Sequence, residues 1–357
     1  MVSTAASQPI PITPRKLRSA RRWHIWLGML LLGSCVASMT VGATGTQPWP
    51  AIGRLLRGEE LNLAEYVLLW EIRLPRTLLG VLVGAALALS GAVMQGLFRN
   101  PLADPGIVGV SAGAGLGAIS VIVLGALLPV WLQQVVGSYL IPFAAFLGSW
   151  IVVLLLYAVA TKQGQTSVAT MLLAGIAFAA LAGAVTGILI YLSDDQQLRD
   201  LTFWQLGSLG GATWAKVLTA APIILLSIMT AAFLGQGLNG LAMGEATAFH
   251  LGMPVQRIKR VAVVVTAAGT GAAVAVAGTI GFVGIVVPHL LRLATGPDHG
   301  PLLINSALLG GALLLWADVI ARVVVAPAEL PIGIVTAILG APVFLWILLG
   351  RRSTGFL

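Results

Sequence analysis

The sequence predicts an all-α polytopic membrane protein with about ten transmembrane helices. Of its 357 residues, 58% are hydrophobic and only 9% charged, whereas a soluble globular domain carries about 25% charged residues. Mean hydropathy is +0.98. Apolar stretches long enough to cross a hydrocarbon core of roughly 30 Å recur along the chain, and no linker or soluble module of domain size separates them.

The first element follows a basic segment, residues 1–22, in which Arg15, Lys16, Arg18, Arg21 and Arg22 precede an apolar span at 23–43. That span is longer than the h-region of a signal peptide, so it reads as a retained helix whose N-terminus faces the cytoplasm. The longest loop, from about Thr44 to Ile72, then lies outside. The second span, 74–97, opens with Arg73 and Arg76 and closes on the turn Asn100-Pro101-Leu102-Ala103-Asp104-Pro105, whose prolines cannot continue a helix. Further spans fall near 107–128, 139–160, 168–192, 213–236, 259–279, 281–295, 301–325 and 332–350. The eighth is short and interrupted by Pro288. Residues 23–350 thus form one ten-helix domain, and 351–357 form a cytoplasmic tail.

Charge supports this orientation. Inner segments hold thirteen of the 20 basic residues, including Arg99, Lys162, Arg257, Lys259, Arg260, Arg292, Arg351 and Arg352, as the positive-inside bias requires. The net charge of +8 is therefore explained by lipid headgroups, with no nucleic-acid partner. Glycine pairs four residues apart, Gly80 with Gly84, Gly113 with Gly117 and Gly183 with Gly187, predict close helix packing.

Several chemistries are excluded. None of the four lysines, Lys16, Lys162, Lys216 and Lys259, follows a glycine, so the chain has no P-loop and cannot hydrolyse ATP by that route. One cysteine, Cys35, allows neither a disulfide nor a cysteine metal cluster, and the four histidines lack metal-ligand spacing. No catalytic or metal site is expected. Asp318, inside a span, has Arg322 four residues on, which predicts an intrahelical ion pair and weakens a proton relay.

Two regions go beyond what a bilayer demands. Arg73, Arg76 and Arg322 sit at membrane edges on the outer side, where exposed guanidinium groups either snorkel to lipid phosphate or pair with carboxylates of an acidic partner. On the inner side, residues 240–260 read as a short amphipathic helix stopped by Gly252 and Pro254, a compact element suited to docking in a groove.

At these residues the chain resembles the membrane subunits of binding-protein-dependent ABC importers for ferric siderophores, heme and cobalamin, the type II importers. The resemblance covers nearly everything from Arg73 to Gly350. It is carried by RLPRTLLGVLVGAALALSGAVMQGLFRNPLADPGIVGVSAGAG, GEATAFHLGMPVQRIKR, GFVGIVVPHLLR and ADVIARVVVAPAELPIGIVTAILGAPVFLWILL. It implies the type II importer fold, a homodimer with the path on its two-fold axis, two cytoplasmic ATPase subunits that bind ATP and Mg, and one periplasmic substrate-binding protein. No cofactor is implied on this chain. The setting is the bacterial inner membrane, with both termini cytoplasmic.

Matched position by position, the resemblance implies that Arg73, Arg76 and Arg322 dock the binding protein. It implies that Gly244, Glu245, Ala248 and Gly252 form the element coupled to the ATPase. The turn Thr161–Ser167 falls where such importers have their cytoplasmic gate, but its pattern is loose and assigns no single gate residue. The outer segment Ser193–Leu209 contains W-x-L-G-S-L, and its Leu198-Arg199-Asp200 portion is most similar to heme importers. Arg199 there either meets heme propionates at the substrate entrance or pairs with Asp195 or Asp200. Heme is the expected cargo, with ferric siderophore and cobalamin as alternatives. The rival class is an ion-gradient-driven secondary transporter, whose ion site would fall to Asp318.

Overall fold

The computed structural model describes residues 14–42, 49–131, 133 and 137–352. The first thirteen residues of the basic segment, residues 43–48 of the expected outer loop and the last five of the tail lie outside them.

In chain order the helices are α1 (Pro14–Thr40), α2 (Trp49–Leu56), α3 (Leu63–Tyr66), α4 (Leu74–Leu97), α5 (Val110–Leu124), α6 (Leu140–Ala160), α7 (Val168–Leu192) and α8 (Asp195–Leu206). Then come α9 (Trp214–Ala232), α10 (Gly235–Ala242), α11 (Glu245–His250), α12 (Val255–Ala277), α13 (Val283–Thr295), α14 (His299–Val323) and α15 (Ile332–Arg352). Eight helical stretches are long and apolar enough to span a membrane, and α13 and α15 add two shorter apolar ones. These ten match the ten apolar stretches of the sequence. The expected outer loop is instead largely helical: α2 interrupts it, and α3 runs through wide π-turns at Val67–Arg73 directly into α4. The result is one helix of 35 residues, Leu63–Leu97.

α4 is the central post. It is buried along nearly its whole length and packs against α14, α12, α13 and α9. Small residues make this possible. At Gly84 a side chain would run into the backbone of Gly310 and Gly311 on α14, so α4 and α14 approach to backbone contact. Gly113 and Gly117 do the same for α5 against Gly148 and Ala144 of α6. Gly183 and Gly187 differ, for nothing lies within 4 Å of where their side chains would be. They sit on the open face of α7, which packs mainly on α5, α6 and the turn at Pro105–Val108.

The segment between α6 and α7 is a two-residue hairpin, in which Thr161–Lys162 pairs antiparallel with Gln165–Thr166. Its turn residues Gln163 and Gly164 have φ of 51° and 77°, the pair of positive values that a type I′ turn needs.

Candidate functional site

One end of the bundle is organised by arginines. Arg73, Arg76 and Arg322 come together there, but they are only 3%, 7% and 3% exposed. The expectation of exposed guanidinium groups is therefore corrected: each is turned into the protein, because internal acceptors await it. Arg73 Nη1 donates to the carbonyls of Met39 at 2.5 Å and Thr40 at 3.0 Å. Arg322 Nη1 donates to the carbonyls of Val41 at 2.8 Å and Ser38 at 3.2 Å. These are last-turn carbonyls of α1 and the residue after it, which lack intrahelical donors and favour cations.

Arg76 is different because its partners are carboxylates. Its Nη2 lies 2.8 Å from Asp318 Oδ1, and its Nη1 and Nη2 each lie 2.9 Å from a Glu329 oxygen. The predicted pair of Asp318 with Arg322 is present at 2.9 Å, so Asp318 is shared between two guanidinium groups. Among the described residues, Asp318 and Glu329 are the carboxylates that pair with Arg76 and Arg322. Glu329, in the loop after α14, is the solvent-facing member, with its side chain 36% exposed.

The opposite end carries the second region. Gly244 has φ of 106° and Gly252 of 78°, conformations that favour glycine, and they bound the single-turn helix α11. Its C-terminus closes through Gly252 N–H to the Phe249 carbonyl at 2.9 Å and Met253 N–H to the Ala248 carbonyl at 3.0 Å, satisfying carbonyls that the helix end would otherwise orphan. Ala248 is fully buried against Leu241 and Val255, while Met243, Phe249 and Leu251 stand in solvent. The short amphipathic helix expected there is thus present, with an apolar crest facing away from the protein. Glu245 Oε2 meets Lys259 Nζ at 2.5 Å.

Arg199 lies on α8, whose start is fixed by a reciprocal cap between Asp194 and Gln197. It is exposed and makes no ion pair with Asp195 or Asp200 among the described residues. The structure therefore does not form the local pairing weighed from the sequence. Arg199 also stands apart from the arginine network.

Sequence reasoning missed Glu329 and Lys259. Glu329 sits in a loop, and nothing in linear spacing links it to Arg76. Lys259 did carry a signal: with Val255, Ile258, Ala262 and Val263 it falls on the apolar stripe at helical spacing, and all five are buried. A lysine on that stripe must find partners inside.

The family model for the FecCD transport family matches residues 30–350. The chain belongs to the FecCD transport family. It is similar to the hemin transport system permease protein HmuU of Yersinia pestis, at 44% identity over 91% of this chain and 96% of that protein. It is also similar to the vitamin B12 import system permease protein BtuC of Klebsiella pneumoniae, at 42% over 95% and 96%. Among solved structures, a transporter described as of the metal-chelate ABC type, in an inward-facing conformation, aligns with a TM-score of 0.78 and 30% identity, covering 91% of this chain and 97% of that one. The type II importer fold and the role of an ABC-importer permease subunit follow. Within that role the permease presents an arginine network at one end and an apolar, glycine-bounded helix at the other.

Proposed function

We propose that this permease carries heme, or a closely related iron chelate, from the periplasm to the cytoplasm, driven by two ATPase subunits docked on α11 and fed by a periplasmic binding protein at the arginine end. The observation that carries the cargo assignment is Arg199: an exposed guanidinium, unpaired with its acidic neighbours, on the helix that leads into the W-x-L-G-S-L segment. A carboxylate-bearing cargo would meet it by charge-assisted hydrogen bonds. The likeness to a hemin permease supports this reading.

Cobalamin is the second reading, favoured by several vitamin B12 permeases at similar identity. At the arginine end, Arg76 receives a carboxylate of the binding protein in exchange for Glu329, while Arg73 and Arg322 hold the end of α1 beneath it. At the opposite end, Phe249, Leu251 and Met243 enter a cleft of the ATPase. Gly244, Glu245, Ala248 and Gly252 set the shape of that element. ATP and Mg belong to the ATPase partner. The open faces of α7 and α15, with Gly183 and Gly187 uncovered and Ile338, Leu339 and Trp346 exposed, support assembly as a homodimer. Both termini then lie in the cytoplasm.

Uptake into proteoliposomes, with the matching binding protein and each of heme, a ferric siderophore and cobalamin, tests the cargo. Heme uptake that falls on Arg199→Glu is expected. Transport of a siderophore or cobalamin without heme would overturn the heme assignment.

A further inference from the structure

Lys259 is one of the largest fully buried side chains of the protein, at 1% exposure. Its ammonium has two partners on different segments. It donates to Glu245 Oε2 on α11 at 2.5 Å and to the main-chain carbonyl of Thr166 at 2.7 Å. One turn earlier on α12, Gln256 Oε1 accepts the Thr166 N–H at 2.9 Å. Both backbone polar groups of Thr166 are thus held by the first turns of α12. Thr166 in turn meets Thr161 across the hairpin, hydroxyl to hydroxyl at 3.0 Å, and Ser167 caps the start of α7 by accepting the Thr170 N–H at 3.2 Å.

One ammonium therefore joins three segments: the docking helix, the base of α12 and the hairpin that starts α7. Its counter-ion is the more exposed member, with the Glu245 side chain 39% exposed and that of Lys259 2%. Pulling Glu245 away would leave a buried cation uncompensated, which is strongly unfavourable. Movement of α11 must then either carry Lys259 with it or break its bond to Thr166. In the first case the hairpin follows through the Thr166 bond; in the second it loses that tether.

We propose that Lys259 is a positioning residue that transmits movement of α11 to the Thr161–Thr166 hairpin, and through Ser167 to the start of α7. This rests on the reading that α11 receives the ATPase. A rigid staple would use the same bonds but would not move in step with nucleotide.

The test uses the full complex of permease, ATPase subunits and binding protein in proteoliposomes, comparing Lys259→Met and Lys259→Arg. With Lys259→Met, ATPase assembly and ATP hydrolysis are retained, and cargo moved per ATP falls roughly 5- to 100-fold, the span of typical coupling energies. Lys259→Arg restores most of it. Spin labels at Gln163 and Ala246, an exposed position of α11, report a hairpin-to-α11 distance that stays nearly constant through the nucleotide cycle in the parent and varies in Lys259→Met. If Lys259→Met fails to fold, Glu245→Gln carries the test with the same expected loss and the same labels at Gln163 and Ala246. Unchanged cargo per ATP, or hydrolysis and transport falling together with assembly, would overturn the role of Lys259. Intact ATPase assembly in a Phe249→Asp permease would instead overturn the docking reading itself.

Discussion

Arg76 and Glu329 face each other through two parallel bonds of 2.9 Å, the fork-to-fork geometry by which a guanidinium recognises a carboxylate. Under the proposed docking, Glu329, which is partly open to solvent, holds the place that a carboxylate of the binding protein would take. Glu329→Gln removes that competitor's charge. Binding-protein affinity, measured at low salt by surface plasmon resonance, is expected to rise roughly tenfold or more, since charge pairs at interfaces couple by about 1.5 kcal/mol or above. Weaker or unaltered affinity would count against the exchange.

Asp318 holds two buried guanidinium groups together. Asp318→Asn leaves them facing one another without their shared counter-charge, so a loss of about 3 kcal/mol is expected, as for other broken buried pairs. Thermal or denaturant unfolding in detergent, compared with Glu329→Gln as the milder control, reads this directly.

Arg73 and Arg322 hold the end of α1. Replacing Arg73 by alanine frees the carbonyls of Met39 and Thr40, and amide exchange in the last turn of α1 is expected to accelerate while that of α4 stays protected. Equal protection of the last turn of α1 in the parent and the Arg73→Ala variant would mean that the cap contributes nothing.

Ala248 is fully buried beneath α11, so Ala248→Leu must push the helix outward or distort it. Uncoupled ATP hydrolysis, or loss of ATPase assembly, is expected with little change in the melting of the transmembrane bundle. Transport per ATP equal to the parent would remove α11 as the coupling element.

Asp104, in the loop between α4 and α5, is partly buried, and desolvation pushes its carboxyl pKa up, partly offset by the N–H of Gly106. A native pKa above the unfolded one means the folded protein binds more protons in that window, so stability falls as pH rises from the unfolded value through the native one. Asp104→Asn keeps an acceptor for Gly106 and removes the titration. Unfolding curves are expected to show the variant more stable than the parent at neutral pH, with the gap closing in acid.

Much of the fold was legible because a bilayer imposes one demand, apolar length, that a sequence displays directly. All ten spans were found, most of them within a few residues, including the short α13, which continues through Pro288. The helical extension before Arg73 was hidden because Glu65, Glu71 and the aromatics around them break the apolar run. The candidate site was legible only in part. Asp318 with Arg322 follows from a spacing of four, and Gly244 to Gly252 from helix stop signals. Arg76 with Glu329 and Lys259 with Thr166 join residues far apart in sequence, and no period encodes such pairs. The expectation of exposed arginines failed for the same reason: it placed the charges at the correct end but could not see the acceptors at the end of α1.

The 35-residue helix from Leu63 to Leu97 is, at 1.5 Å per residue, about 52 Å long. The hydrocarbon core takes up roughly 30 Å, so about two turns or more stand clear of it. Tyr66, Trp70 and Trp214, whose rings meet at 5.4 to 6.5 Å, then lie at headgroup depth, where such rings are favoured. Trp214 Nε1 donates to the Trp70 carbonyl at 2.9 Å, tying the projecting shaft to the top of α9. Under the proposed docking, the height at which the partner protein rides above the lipid is thereby set by the same helix that runs through the middle of the bundle. A tilt of that helix inside the membrane would be felt as a sideways sweep of its tip.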